Sequence, residues 1–238
     1  MHLSAPIHRL KRRARLLSRE KRIPLHAALD HVAREQGHAR WSLLAAQAAC
    51  HAPARRLLDQ LCPGDTLLLA ARPGQGKTSL ALDLLEEAAG RGRWAVFFSL
   101  FHSPWEAASL LTPPGRTATK GSGGSPHIET PDELDAGRVG ERMAGAVPGS
   151  LVVIDYLQLL ARGEGRAAQA REVAALGALA RERGLVVVFL SQVSRAFDPT
   201  RAPMPGPDDV ADPWPGRADA FSRTCFLHDG EIRLSDPA

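Results

Sequence analysis

Residues 66–84, TLLLAARPGQGKTSLALDL, decide the fold. Leu67 to Ala70 make a short apolar run suited to a buried strand, and a Pro73-Gly74 turn follows. Gly76, Lys77, Thr78 and Ser79 then open a helix with Leu80, Leu82, Leu84 and Leu85 behind them. A strand that turns tightly into a helix aims free backbone N–H groups and the positive end of the helix at one point, which suits an anion. The expected phosphate cradle is Pro73, Gly74, Gln75, Gly76, Lys77, Thr78 and Ser79. Lys77 reaches the terminal phosphates of a nucleotide, and the Thr78 hydroxyl sits on Mg²⁺. Ala71 occupies the first position of the usual G-x-x-x-x-G-K-[ST] pattern.

Outward from this stretch the chain alternates strands and helices. Trp94 to Leu100, Leu151 to Ile154 and Leu185 to Leu190 are continuous apolar runs, the signature of a parallel sheet covered by helices on both faces. Helices are expected over about 104–111, from a capping box at Thr130-Pro131-Asp132-Glu133 to before Pro148, and over 167–183 up to Gly184. The Gly/Pro-rich segments 113–127 and 197–217 read as long loops, the second with six prolines between residues 199 and 215. Thr224 to His228, Asp229-Gly230 and Glu231 to Leu234 read as a β-hairpin.

Upstream, residues 1–56 read as a separate helical unit and residues 57–238 as the nucleotide-binding core. Leu10, Ala14 and Leu17 recur at helical spacing among basic residues; a second helix starts at Pro24 and stops at Gly37, and a third runs from about Arg40 through Gln47. The net charge of +4 conceals an asymmetry. Residues 1–56 carry 12 Lys/Arg against 3 Asp/Glu, or +9, and the rest carry 18 against 23, or −5. The basic unit fits an acidic partner such as nucleic acid or a solvated helix face equally well. Cys50, Cys62 and Cys225 lack metal or disulfide spacing and read as buried reduced thiols. No run approaches a membrane span and no signal peptide is evident, so a cytoplasmic protein is expected.

Ligands in open parallel sheets sit beyond the carboxyl ends of the strands. Three polar endings should meet there: the 74–78 loop, Asp155 after LVVI as a Mg²⁺ ligand, and Gln192 after VVVFLS as a sensor of the terminal phosphate. The stretches ARPGQGKTSLALDLL, VVIDYLQLL and VVVFLSQVSR resemble the phosphate-binding, metal-binding and glutamine-sensor motifs of the DnaB-like replicative helicases, hexameric motors with a RecA-type core. The likeness spans about residues 57–195, and Asp-Tyr-Leu-Gln-Leu at 155–159 is its most specific part. It implies a RecA-like α/β fold, ATP and Mg²⁺ as ligands, Gln192 linking nucleotide state to DNA, and single-stranded DNA facing the loops that carry Arg162, Arg166, Arg195 and Arg201. It also implies a homo-oligomeric ring, or association with another RecA-like protein.

The sequence departs from that family where a glutamate normally activates water, because Phe101 stands there. Glu106 could substitute if its loop bends back. A basic finger supplied by a neighbour has no clear match, with Arg217, Arg223 and Arg233 as candidates lacking a motif. Three readings follow: a DNA-dependent ATPase of helicase type, a degenerate nucleotide-binding module with little turnover, and a RecA-like recombination or regulatory ATPase.

Overall fold

The computed structural model describes residues 7–103, 105–107, 125–161, 163–211 and 220–236, with the side chains of 7–9 and 46–52 set aside. Its centre is a seven-stranded sheet in the order β3-β2-β4-β5-β1-β6-β7. The strands are β1 (Thr66–Ala71), β2 (Ala95–Ser99), β3 (His127–Glu129), β4 (Leu151–Asp155), β5 (Val186–Gln192), β6 (Arg223–His228) and β7 (Glu231–Ser235). All neighbours are parallel except β6 and β7, the expected hairpin.

The continuous apolar strands are explained by burial on both faces. Leu67, Leu69, Phe97, Val153, Val188 and Leu190 pack on one side against α4 (Lys77–Gly90) and the end of α3 (Trp41–Leu58). Leu68, Ala70, Phe98, Ile154, Val187 and Phe189 point the other way, toward α5 (Ala136–Arg142) and α6 (Arg166–Arg183). α6 ends as its sequence indicates, with Gly184 left-handed at φ 65° and receiving the chain where a side chain would be strained.

Several boundaries differ from expectation. The Thr130 capping box does not start a helix. Residues 127–129 are drawn into the sheet beside β2, the chain must leave that edge extended, and α5 starts only at Ala136, where Asp135 accepts the Arg138 N–H at 2.7 Å. The expected 104–111 helix is helical at 105–107, and its remainder, like residues 113–124, lies outside the described residues. The proline-rich stretch after Gln192 is not an open loop through 211. Val193 bridges Val210, Pro207–Asp209 form a 3₁₀ turn, and Phe197 and Met204 are buried.

At the amino end, α1 (Ile7–Lys21), α2 (Leu25–Glu35) and the start of α3 enclose a core of Leu10, Ala14, Ala28, Val32, Ala33 and Leu44. Asp30 accepts the Trp41 N–H at 2.8 Å and so caps α3 from α2. α3 does not stop near Gln47. It continues through Pro53 to Leu58, whose side chain joins the core beneath the sheet. Of the cysteines, Cys225 is buried, with desolvation pushing its thiol up to about 12, whereas Cys62 is exposed, contrary to expectation, because it sits in the polar turn before β1. The Cys50 side chain lies outside the described set. Among the described residues, no helix is long and apolar enough to cross a membrane, and no group of three or more His, Cys, Asp or Glu could hold a metal ion.

Candidate nucleotide site

Parallel pairing puts four strand ends in one row. Ala71 of β1 is level with Gln192 of β5, and Asp155 of β4 is level with Ser99 of β2. Beyond this row lies a cleft of about 390 Å³ lined by Arg72, Pro73, Gly74, Gly76, Lys77, Thr78, Ser79, Phe101, His102, Asp155, Tyr156 and Gln192. The three motifs expected to meet therefore do meet.

The phosphate loop has its shape because Gly74 and Gly76 take φ values of 80° and 88°, accessible to glycine at little cost. Gly76 precedes α4 without a capping side chain, so the first N–H groups of the helix lack an intrahelical acceptor and face the cleft end of the dipole. Gln75 is the exception in the expected cradle. Its side chain accepts the Asp229 N–H at 2.9 Å, tying the loop to the hairpin turn.

Asp155 is buried, Lys77 is mostly so, and both are under-compensated. Lys77 Nζ lies 3.9 Å from Asp155 Oδ1, too far for a hydrogen bond, with side-chain exposures of 12% and 5%. Desolvation pushes the lysine below its ordinary value against the pull of Asp155. Desolvation likewise pushes Asp155 above its ordinary value, against Lys77 and His102. A buried ammonium wants an anion and a buried carboxylate wants a cation, so the pair is complementary to a phosphate carrying a divalent metal. The donor set fits such a group: Thr78 and Asp155 offer hard oxygens for Mg²⁺, and Lys77 with the loop N–H groups serves the phosphates.

Sequence reasoning missed Arg72, His102 and Tyr156. His102 Nδ1 lies 2.9 Å from Ser99 Oγ and 3.8 Å from Asp155 Oδ2, and the Tyr156 ring stands 5.8 Å from Lys77 Nζ. Phe101 projects at the rim, 65% exposed, edge-on to His102 and Tyr156. The peptide bond joining Asp155 to Tyr156 is cis.

Glu106 is not brought to the cleft. Its carboxylate accepts both the N–H and the hydroxyl of Ser103, at 2.9 and 2.8 Å, which holds it below its ordinary value on an exposed helical turn. Arg195 and Arg201 are exposed on the segment following β5, and Arg166 is exposed as the first residue of α6, where the chain returns after β4; Arg162 lies outside the described residues. Of the finger candidates, Arg223 is at the opposite edge paired with Asp236 at 2.6 Å, Arg233 is exposed in β7, and Arg217 is not among the described residues.

Residues 138–213 match the family model of the DnaB-like helicase C-terminal domain. The replicative DNA helicase DnaB of Leifsonia xyli subsp. xyli is 30% identical over 211 residues, covering 74% of this chain and 43% of the relative. Over these stretches the chain is similar to the DnaB-like helicases. A solved ATPase domain superposes with a TM-score of 0.55 at 19% identity, covering 73% of this chain and 81% of that one. A DnaB-like replicative helicase solved for its interactions with primase gives 0.56 at 17%, covering 73% and 54%. These structural likenesses establish the RecA-like fold. The chain spans less than half the length of the DnaB relative it matches.

Proposed function

We propose that this protein binds ATP with Mg²⁺ at the cleft and works on single-stranded DNA as a helicase-type, DNA-dependent ATPase assembled from several copies. The observation that carries the reading is the pair Lys77 and Asp155, desolvated side by side above a glycine loop at a helix N-terminus. In this reading Lys77 and the loop N–H groups bind the phosphates, and Thr78 and Asp155 hold the metal, which supplies charge neutralisation when bound. Gln192 carries the state of the cleft into the segment 193–211, because its carbonyl accepts the Ala211 N–H at 2.7 Å. Arg195 and Arg201 on that segment, with Arg166 after β4, supply cations for the DNA backbone. Nucleotide-binding titration paired with a turnover assay, with and without a single-stranded oligonucleotide, tests this. Binding and DNA-stimulated hydrolysis that both vanish in Lys77→Ala are expected, and a flat response to DNA in the assembled protein rejects it.

A second reading, a nucleotide-binding assembly module with little turnover, is favoured by one observation. Phe101 stands at the rim of the cleft, and Glu106, the nearby carboxylate, is committed to Ser103. It expects ATP binding of ordinary strength with hydrolysis that DNA leaves unchanged.

A further inference from the structure

Among the described residues, one strongly charged surface lies outside the cleft. On α1, Lys11, Arg12, Arg15 and Arg19 are exposed and form no ion pair among the described residues, whereas Arg13 is taken up by Glu35 at 2.9 Å. At 3.6 residues per turn these four cations fall within an arc of about 100°, spaced about 4–6 Å along the axis from one to the next of the same row. Leu10 and Ala14 point the opposite way and are sealed in the three-helix core, at 2% and 0% exposure.

We propose that this face of α1 is a second nucleic-acid site, one that grips the phosphate backbone of duplex DNA independently of sequence. Three observations select that partner. A row of unpaired cations on a rigid helix is the footprint of a polyanion. A membrane or a helix-binding groove would have to take the apolar stripe of an amphipathic helix, and here the stripe of Leu10, Ala14 and Leu17 is already packed against Ala28, Val32 and Leu44, which leaves Leu16 as a lone exposed apolar side chain among the described ones on α1. A single strand would call for aromatic rings on which bases stack, and α1 carries no Phe, Tyr or Trp; Trp41, the nearby indole, is packed against the core of the unit. α3 runs without a break from this unit to the core beneath the sheet, so duplex held by α1 is carried on the same body as the cleft. The site stands apart from the nucleotide reading and needs no ligand in the cleft.

The test uses the full chain without nucleotide. Affinity for a mixed-sequence duplex, a single strand of equal length and phosphatidylglycerol vesicles is measured across a salt series, in the parent and in a fourfold Lys11→Gln, Arg12→Gln, Arg15→Gln, Arg19→Gln variant. Duplex affinity is expected to fall at least about tenfold at 0.1 M salt, with a log–log salt slope flatter by about two to four, as each lost phosphate contact removes close to one. ATP affinity stays at the parent value, so failure of the nucleotide reading is separable. If the fourfold variant does not fold, Arg15→Gln and Arg19→Gln read the same slope singly. Unchanged duplex binding, loss confined to the single strand, or loss confined to the vesicles overturns the proposal.

Discussion

Gln75 Oε1 accepts the backbone N–H of Asp229 at 2.9 Å, so the tip of the phosphate loop is fastened to the turn of the last hairpin, more than 150 residues away in sequence. Asp229 presents that N–H from a left-handed backbone, φ 47°. The contact is exposed, so Gln75→Ala should cost little stability, about 0.5 kcal/mol. The loop it fastens must be preorganised to receive phosphate, so the same substitution should weaken ATP binding several-fold. Thermal unfolding with and without nucleotide checks both: a nearly unchanged melting point of the free protein and a smaller ligand-induced rise are expected.

Asp155 and Lys77 give the free protein a pH dependence whose signs are opposite. The folded value of Asp155 is raised, so its contribution is fully present below the ordinary 3.8 and is lost as pH rises through the folded value. That of Lys77 is lowered, so its contribution is present above the ordinary 10.5 and is lost as pH falls through the folded value. Between these limits both charges burden the free fold. Asp155→Asn should therefore leave the free protein as stable as the parent or more so, while Mg²⁺ ceases to strengthen nucleotide binding. Unfolding at pH 5–9 with parallel Mg²⁺ titrations measures this; a clear drop in stability at pH 7 contradicts it.

Phe101 stands beside His102 and Tyr156 at the mouth of the cleft and is mostly exposed. Phe101→Glu sacrifices two ring-edge contacts that water already screens, so its effect on stability should stay within about 1 kcal/mol. It adds a carboxylate at the rim, and general-base assistance is worth roughly 10²–10⁴ in rate where the geometry suits. ATP turnover at saturating nucleotide should rise at least about tenfold, with little change in affinity. A variant that binds ATP normally and hydrolyses it no faster assigns the slow step elsewhere.

The parts of the site that were legible in sequence are those encoded locally. The phosphate loop, Asp155 and Gln192 each end or follow an apolar run, and a parallel sheet forces such endings into one row. His102 and Arg72 carry no pattern of their own; they reach the cleft only because strands β2 and β1 deliver them. β3 was invisible because two of its three residues, His127 and Glu129, are polar, and with Ile128 they pair at the sheet edge. Once residues 127–129 join the sheet, the Asp135 cap prevails over the equally good capping signal at Thr130, a choice that local sequence does not contain. The proline-rich segment read as loop since its burial depends on partners far along the chain: Phe197 packs edge-on against His228, and Val210 bridges Val193.

Gln158 holds that segment in place from below. Its buried amide donates to Ser191 Oγ at 2.7 Å and to the Ala211 carbonyl at 3.1 Å, joining the turn after Asp155, the end of β5 and the return of the 193–211 segment. Gln158→Leu keeps the approximate volume but takes the donor from the buried Ser191 Oγ and from the half-buried Ala211 carbonyl, and an unsatisfied buried polar group costs about 1–3 kcal/mol. For a chain of this size that is a fall of roughly 2–10 °C in melting temperature. Loss of the tie also frees residues 193–211 to open locally, so the exposed peptide bonds near Arg195 and Arg201 should be cut faster by trypsin in the native state. A variant that loses stability with no change in native-state cleavage near these residues would mean that the bridge between Val193 and Val210 suffices to hold the segment.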